Sequence, residues 1–181
     1  MDNIINKKII GDSFELLPSI PDKFVDLVLT DPPYDFDKDK KLWLHNQFSR
    51  ICSGTIIVFS PPENQWILPA NQHLFWIKPI STKNTSKSYS RFVEMIFVYG
   101  NGIWNAGRHW SQYTNVFTDL VDDASLHPYR KPPSLIDRLI KNHSNPNQII
   151  LDPFGGSFVV ADEALRLGRN FISFEKYTYD K

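Results

Sequence analysis

The chain contains, near its start, the stretch Leu27-Val28-Leu29-Thr30-Asp31-Pro32-Pro33-Tyr34, an apolar run that ends in an acid, two prolines and an aromatic ring. The apolar residues at positions 25–29 predict a buried strand. The prolines end this strand, because proline cannot donate to a sheet ladder and has a fixed φ. We therefore expect Asp31 and Tyr34 on a turned loop at the carboxyl end of a strand, which is the edge where open α/β sheets bind ligands.

This loop has the groups needed to hold a planar ligand that carries an exocyclic amine. Asp31 supplies a carboxylate, Pro32 and Pro33 supply carbonyl acceptors without a competing N–H, and Tyr34 supplies a flat ring. An amine can donate to the carboxylate and to a proline carbonyl while its ring stacks on the tyrosine. The alternative interpretation is a capped strand followed by an ordinary Pro-Pro turn, since short motifs recur by chance.

Length and composition predict one globular domain over residues 1–181, because 41% hydrophobic and 14% aromatic residues suffice for a sizeable core. The single cysteine, Cys52, excludes a disulfide framework, and the five histidines lack metal-ligand spacing, so we expect no metal. No apolar run approaches membrane-spanning length, and the start lacks the basic and hydrophobic regions of a signal peptide. These features predict a cytoplasmic protein without a membrane partner.

The charges are segregated along the chain although they sum to zero. Residues 65–118 contain five basic residues and one acid, Glu94, so this middle segment has a net charge of +4. Aromatic residues are interleaved with these basic residues, a pattern typical of nucleic-acid surfaces. The candidate nucleic-acid contacts are Lys83, Lys87, Arg91 and Arg108.

Periodicity and turn residues predict seven strands, at residues 8–11, 25–29, 55–59, 74–78, 92–99, 148–151 and 170–174. Helices are predicted at residues 13–17, 42–52, 65–68, 132–142 and 158–167. Helices between most of the strands favour a largely parallel sheet covered on both faces, which is an α/β fold.

A second motif lies near the end of the chain, where a predicted strand runs into Asp152-Pro153-Phe154-Gly155-Gly156-Ser157. A strand, a glycine turn and a helix are followed by Glu175, an acid placed to accept from ribose hydroxyls. The chain lacks a P-loop and a complete G-x-G-x-x-G, which favours a nucleoside without a pyrophosphate. The alternative is a glycine turn of the kind found in any α/β protein.

The chain resembles the amino-group DNA methyltransferases that use S-adenosylmethionine, in their β-class motif order. Residues 30–34 resemble the catalytic motif, residues 152–157 resemble the cofactor glycine loop, and residues 127–135 resemble the segment that closes over the cofactor's methionine part. Gly11-Asp12 resembles the position that meets the cofactor's adenine, and Glu175 the position that meets its ribose. These matches occur in one order and cover nearly the whole chain.

The resemblance implies a class I methyltransferase fold, which is a Rossmann-like, seven-stranded and mostly parallel sheet, with S-adenosylmethionine as cofactor. Strand 148–151 would be central, with 170–174 and then 8–11 on one side and the other strands on the opposite side. The catalytic residues implied are Asp31, Pro32, Pro33 and Tyr34. The cofactor-binding residues implied are Asp12, His127, Lys131, Asp152, Phe154, Gly155, Gly156, Ser157 and Glu175.

Two departures from the family pattern bear on the site. Phe158 follows Ser157 where the family usually has glycine, and only about thirty residues separate Tyr99 from His127, where the family usually carries a long insertion that reads DNA. We therefore predict a single catalytic domain without a full-size target recognition domain. A homodimer or a separate specificity subunit would supply the missing contacts to DNA.

Two groups of acids have open assignments. Asp35, Asp37 and Asp39 alternate with lysines and predict a solvated loop after the catalytic motif, with a lid over the substrate as the alternative. Glu94 lies in an apolar strand pattern, where it either reaches the site or stands at a strand edge.

Three functions remain open at this level. The first is methylation of the exocyclic N6 amine of adenine in DNA, with cytosine-N4 methylation as a variant of the same amine geometry. The second is the same chemistry on RNA or on a protein side-chain amide. The third is a catalytically silent partner subunit that binds cofactor or DNA. A place in a restriction-modification pair, in a phage or as a stand-alone regulator also stays open.

Overall fold

The computed structural model describes residues 4–78, 89–105, 109, 113–120 and 130–177. Within these ranges the chain forms eight strands, β1 (Lys7–Ile10), β2 (Val25–Thr30), β3 (Cys52–Ser60), β4 (Gln72–Ile77), β5 (Val93–Tyr99), β6 (Val116–Phe117), β7 (Ile149–Asp152) and β8 (Asn170–Glu175). It also forms four α-helices, α1 (Ser13–Leu16), α2 (Lys38–Ile51), α3 (Pro133–His143) and α4 (Val159–Arg166), and two short 3-10 helices, Leu17–Ser19 and Pro62–Asn64.

All eight strands join one sheet in the order β1-β8-β7-β2-β3-β5-β4-β6. Only β5 is antiparallel to its neighbours, β3 and β4, and the other pairs are parallel. The predicted class is confirmed, as is the placement of β8 and β1 to one side of β7. The predicted number of seven strands is wrong by one. β6 was missed because its two residues, which pair with Phe75 and Trp76, are too few to show an alternating pattern.

The region after the catalytic motif is more ordered than the sequence pattern indicates. The Asp37 carboxylate accepts a hydrogen bond from Lys40 N at 2.8 Å and so caps α2, which begins at Lys38 rather than at Leu42. The predicted solvated loop therefore ends at Asp37, although its acids are exposed as expected. The helix predicted at residues 65–68 is also wrong, and the 3-10 helix Pro62–Asn64 precedes that position.

Both faces of the sheet are covered by helices, which explains why the central strands are almost entirely apolar. α3 and α4 pack on one face, with Leu139, Ile140 and Ala164 in its core. α2 packs on the other face through Leu44, Phe48 and Ile51, all completely buried. No helix of the described ranges has the length and apolarity needed to cross a bilayer.

The parallel register places the carboxyl ends of three strands side by side. Val28 in β2 lies opposite Leu151 in β7, and Asp152 in β7 lies opposite Ser173 in β8. Consequently the residues that end or follow these strands, Asp31, Asp152 and Glu175, meet at one edge of the sheet.

Candidate active site

Asp31 directly follows β2 and faces the site with one free oxygen. Its Oδ2 forms an ion pair with Lys131 Nζ, whereas its Oδ1 is buried and accepts no hydrogen bond within the part of the chain that is described. The side chain as a whole remains 27% exposed, although Oδ1 itself is buried. Burial raises the pKa of Asp31, and the ammonium group of Lys131 offsets part of that rise. A buried acceptor without a donor is costly, and a ligand amine would satisfy it.

Asp152 ends β7 and links the two motifs. Its Oδ1 accepts from Thr30 Oγ1 at 2.9 Å and from Phe154 N at 3.2 Å, and its side chain is buried. Because Thr30 precedes Asp31, this contact joins the catalytic motif to the glycine loop. Burial raises the pKa of Asp152 to about 7, outweighing the two hydrogen bonds that lower it.

The glycine loop is built so that the backbone comes close to β8. A Cβ on Gly155 would lie 2.5 Å from Ser173 Oγ and 2.7 Å from the Phe158 ring, so this position has room only for glycine. Gly156 has φ +50° with open space around it, and its N–H donates to Glu175 Oε2 at 2.7 Å. Phe158 itself has φ 59° and packs partly against the core on the α3 and α4 face. Ser157 lies between them in the same turn.

Asp12 lies at the same edge, after β1, and caps α1. Its Oδ1 accepts from Phe14 N at 2.9 Å, and its Oδ2 pairs with Lys176 Nζ at 2.8 Å. The hydrogen bond from Lys176 lowers the pKa of Asp12, with a further contribution from Phe14 N. β1 and β8 pair in parallel, which brings Asp12 beside Glu175 and its loop.

Four aromatic rings adjoin Asp12 and the glycine loop, and sequence reasoning did not group them. Phe14 stacks on Trp43 with ring centroids 5.0 Å apart and meets the edge of Phe36 at 5.7 Å. Phe36 in turn contacts Phe154 of the glycine loop at 5.8 Å. No sequence signal links these positions, because each belongs to a different element, namely α1, the catalytic loop, α2 and the loop after β7.

Lys131, which was predicted from the sequence to bind the cofactor, lies against Asp31 instead. Its Nζ pairs with Asp31 and lies 3.1 Å from Glu94 Oε2 and 3.3 Å from the Tyr34 hydroxyl. Glu94 also pairs with Lys78, so that four charges of alternating sign form a chain. The Lys131 ammonium lies 5.1–5.8 Å from the ring centroids of Phe59, Trp76 and Tyr34. Glu94 therefore reaches the site, as one of its two predicted assignments has it.

The pKa values of this cluster reflect competition between burial and opposite charges. Burial favours the neutral form of Lys131, but Asp31 and Glu94 outweigh it and raise the pKa of Lys131 to about 12. Burial likewise acts to raise the pKa of Glu94, but Lys131 and Lys78 hold that pKa below its usual range. Burial, and secondarily Asp31, raises the pKa of the Tyr34 hydroxyl, which stays neutral.

The catalytic loop is held in place by a residue that the sequence did not indicate. Asn64 Nδ2 donates to the carbonyl of Tyr34 at 2.6 Å and to that of Phe36 at 3.2 Å. Asn64 is held by Lys41, whose Nζ donates to Asn64 Oδ1 at 2.5 Å and to Asn64 O at 2.8 Å. Tyr34 is thus anchored through its backbone while its side chain remains 36% exposed.

The predicted residues divide into three groups. Nearly all of the predicted catalytic and cofactor residues meet at one sheet edge, namely Asp12, Asp31, Pro32, Pro33, Tyr34, Lys131, Asp152, Phe154, Gly155, Gly156, Ser157 and Glu175. His127, Lys83, Lys87 and Arg108 lie outside the described residues. Of the predicted nucleic-acid contacts, Arg91 is described, and its Nη1 pairs with Glu63 Oε1 at 2.5 Å on the surface.

A cavity of about 400 Å³ lies at the opposite edge of the sheet, beside Asp26, Gly54 and His143. Asp26 is already satisfied there by Ile149 N at 2.8 Å and Gln148 Nε2 at 3.1 Å. Among the residues described, no three His, Cys, Asp or Glu side chains cluster in a way that would hold a metal ion.

The fold and this edge, where a glycine loop adjoins a loop that ends in a carboxylate, are typical of α/β proteins that bind nucleosides at the carboxyl ends of their strands. A family model described as DNA methylase, that of the N6 and N4 methyltransferases, matches residues 55–179. The chain belongs to this DNA methylase family.

Named relatives extend the match to the Asp31 loop. The chain is 26% identical to the DNA adenine methyltransferase YhdJ of Escherichia coli, over 91% of this chain and 76% of the relative. It is 27% identical to the type II methyltransferase M.BglII of Bacillus subtilis, over 94% of this chain and 65% of the relative. For the type II methyltransferase M.HinfI of Haemophilus influenzae, the identity is 24% over 97% of this chain and 66% of the relative. The chain thus spans about two thirds of the length of the latter two.

Solved structures agree with the fold. The complex of M1.HpyAVI with S-adenosylmethionine has a TM-score of 0.70 at 22% identity, covering 95% of this chain and 94% of that one. The PvuII DNA methyltransferase, which is cytosine-N4-specific, has a TM-score of 0.72 at 20% identity, covering 93% of this chain and 80% of that one. The chain therefore shares its fold with these two structures.

Proposed function

We propose that this protein transfers a methyl group from S-adenosylmethionine to the exocyclic N6 amine of adenine in DNA. The observation that carries this proposal is the buried, unpartnered Oδ1 of Asp31 on a loop tied to the nucleoside site through Thr30 and Asp152. An acceptor in that position suits an amine donor, and the adjoining carboxylates suit a cationic nucleoside. The adenine specificity follows the name of the Escherichia coli relative.

The residues of the cofactor edge match the chemistry of S-adenosylmethionine. Glu175 and Asp12 supply carboxylate acceptors for ribose hydroxyls and for an adenine amine, and the Gly155-Gly156 turn lets the backbone approach a ligand. Asp152 supplies a further carboxyl group in a buried setting, which becomes negatively charged as the pH rises through its pKa of about 7. When bound, the cofactor supplies an already activated methyl group on a positively charged sulfur.

The catalytic loop acts by positioning the target amine. The lone pair of an adenine amine is delocalised into the ring, and donation of its N–H groups to Asp31 Oδ1 and to a proline carbonyl favours the pyramidal form that attacks in line. The bond from the amine nitrogen to the methyl carbon would form as the bond from that carbon to sulfur breaks, so the positive charge would pass from sulfur to nitrogen. The carboxylate of Asp31 would stabilise that charge until a proton leaves to solvent. Asp31 need not remove a proton beforehand.

The target amine is hidden in a duplex, so the base must leave the stack to reach Asp31. Tyr34 is exposed at the mouth of the site and would stack on the flipped base. Tyr34→Ala should weaken the complex with a flipped base by ~1–3 kcal/mol, whereas Tyr34→Phe keeps the ring and should leave most of that affinity. Fluorescence of 2-aminopurine at the target position would measure the affinity of both variants for the flipped base.

The deciding experiment offers labelled S-adenosylmethionine with DNA, RNA and protein in parallel, followed by nucleoside digestion and mass spectrometry. We expect N6-methyladenine in DNA, with Asp31→Ala abolishing transfer and leaving cofactor affinity within about threefold. N4-methylcytosine in DNA would instead show that the enzyme methylates cytosine. Label in RNA or in protein would show that DNA is not the substrate. Cofactor binding without transfer to any substrate would identify a silent partner subunit.

The alignment with the Escherichia coli relative bears on how the protein holds DNA. The alignment with the Escherichia coli relative spans 224 positions, more than the 181 residues available here, so that relative carries segments without a counterpart in this chain. We propose that a second copy, or a separate specificity protein, supplies the missing DNA contacts. A monomer by light scattering whose specific activity stays constant on dilution, and whose activity survives Lys83→Glu with Lys87→Glu, would contradict this proposal.

A further inference from the structure

Glu94 occupies a position that packing alone would give to an apolar residue. It lies on β5 two and four residues before Ile96 and Val98, which are buried in the core on the α3 and α4 face, and it is itself only 4% exposed. Every second residue of a strand points to the same face of the sheet. Glu94 therefore lies on the same face as Ile96 and Val98 and continues their apolar row. An apolar side chain of similar volume is often as stable at such a position as a buried ion pair. The charge of Glu94 therefore calls for an explanation other than stability.

The contacts of Glu94 lead directly to Asp31. Its Oε1 pairs with Lys78, whose side chain is 11% exposed. Its Oε2 lies 3.1 Å from Lys131 Nζ, an ion pair without hydrogen-bond geometry. Lys131, 7% exposed, then pairs with Asp31 Oδ2. The charges along this series of ion pairs alternate in sign and sum to zero. The series ends at Asp31, whose Oδ1 has no hydrogen-bond donor among the described residues.

We propose that Glu94 is a positioning residue for methyl transfer: it anchors Lys131 from the far side, so that Lys131 holds one oxygen of Asp31 and leaves the other for the target amine. The proposal rests on the proposed function and extends it to a residue away from the substrate. Lys78 belongs to the same charge cluster and balances the charge of Glu94.

The charge balance has a chemical consequence at Asp31. Without the negative charge of Glu94, Lys131 and Lys78 would leave the cluster with one excess positive charge, beside an amine that becomes cationic as the methyl group arrives. Without Lys78, the cluster would instead carry one excess negative charge. The two substitutions should therefore move the ionisation of Asp31 in opposite directions.

Few titratable or charged groups face Asp31, so a change in its titration can be assigned to one of them. They are Lys131 ahead of α3, Glu94 on β5, the Tyr34 hydroxyl on the same loop and Asp152 at the end of β7, with Lys78 behind Glu94. Lys131 and Tyr34 keep one ionisation state from about pH 4 to 9. Asp152 titrates in that range, so its signal is assigned separately with Asp152→Asn.

The experiment follows the carboxyl carbon of Asp31 by NMR in the cofactor-free protein labelled at aspartate, assigned with Asp31→Asn. Glu94→Gln should lower the Asp31 titration midpoint by about one pH unit, and Lys78→Met should raise it by about half a unit. Glu163→Gln, another buried glutamate with a cationic partner but on α4, is the matched control and should leave the midpoint unchanged. Unchanged midpoints in both test variants, or shifts in the same direction, would overturn the proposal.

Kinetics provide the second readout. Glu94→Gln should lower kcat by about tenfold or more with the cofactor KM within about threefold, and Glu94→Asp, which keeps the charge, should recover part of the loss. If Glu94→Gln does not fold, two other measurements decide whether Glu94 positions Asp31. They are the Asp31 titration midpoint in Lys78→Met and the kcat of Glu94→Asp. Shifted midpoints in a protein that methylates nothing would refute the proposed function alone, whereas normal methylation with unshifted midpoints would refute only the role of Glu94.

Discussion

Replacement of Lys131 by methionine tests the charge cluster most directly, because it removes the cation between two buried carboxylates and keeps a side chain of similar length. Glu94 would retain Lys78, so one carboxylate, that of Asp31, loses its sole cationic partner among the described contacts. Breaking a buried pair in this way typically costs ~3–5 kcal/mol. We expect a loss of that size in the free energy of unfolding at about pH 8.

The pH dependence of this loss has a definite sign. In Lys131→Met, burial without a cation raises the folded-state pKa of Asp31 above its unfolded value near 4, whereas Glu94 keeps Lys78 as its partner. A carboxyl group with a raised folded pKa destabilises the folded state increasingly as the pH rises from its unfolded toward its folded pKa, and protonation relieves the cost at low pH. The loss at about pH 5 should therefore be smaller than at pH 8, by ~1 kcal/mol or more.

Urea unfolding followed by tryptophan fluorescence measures both values, since the chain has five tryptophans. The matched control is Lys8→Met, which removes the cation of the ion pair between Lys8 and Asp162 at 2.5 Å, where both side chains are over 40% exposed. That loss should stay below ~1 kcal/mol at both pH values. An equal loss at pH 5 and pH 8 for Lys131→Met would show that its contribution is packing of the aliphatic stem, and would refute the electrostatic account.

Three further predictions concern the two loops. Because the pKa of Asp152 is about 7, affinity for cationic S-adenosylmethionine should rise as the pH increases from about 6 to 8, and Asp152→Asn should remove that rise in calorimetry. Gly155→Ala should destabilise the protein and weaken cofactor binding, whereas Gly156→Ala, with open space but φ +50°, should cost only ~1 kcal/mol by thermal unfolding; equal effects would contradict the close packing at Gly155. Asn64→Ala should lower methyl transfer while cofactor affinity stays within about threefold, since it releases the catalytic loop and not the glycine loop; loss of cofactor affinity would contradict this assignment.

Much of the candidate site was predictable because its chemistry is local in sequence. Asp31 and Asp152 each follow an apolar run and precede proline or glycine, and such runs place a residue at a strand end whatever the rest of the fold is. The strand order in space came from the resemblance to a family, since periodicity predicts strands but not their neighbours.

The positioning residues were harder to predict, because their contacts join distant parts of the chain. Asn64 lies two positions after the Pro61-Pro62 pair and carries no motif, yet it holds the Tyr34 loop thirty positions earlier. Lys78 counted toward the basic segment in the sequence, but in the structure it is buried against Glu94 and does not serve as a surface charge. A charged residue in an apolar strand indicates that a group of opposite charge pairs with it. The sequence does not identify that group.

The sequence alone thus determined most of the longer elements and the carboxylates at the strand ends, because each depends on residues adjacent in the chain. The tertiary structure decided which of these groups touch. It brought Lys131 between Asp31 and Glu94, which are separated by 63 positions in the sequence, through the pairing of β3 with β5 and the packing of the segment before α3. The physical reason is that a buried charge is stable only beside an opposite charge, and the sheet order determines which charges become neighbours.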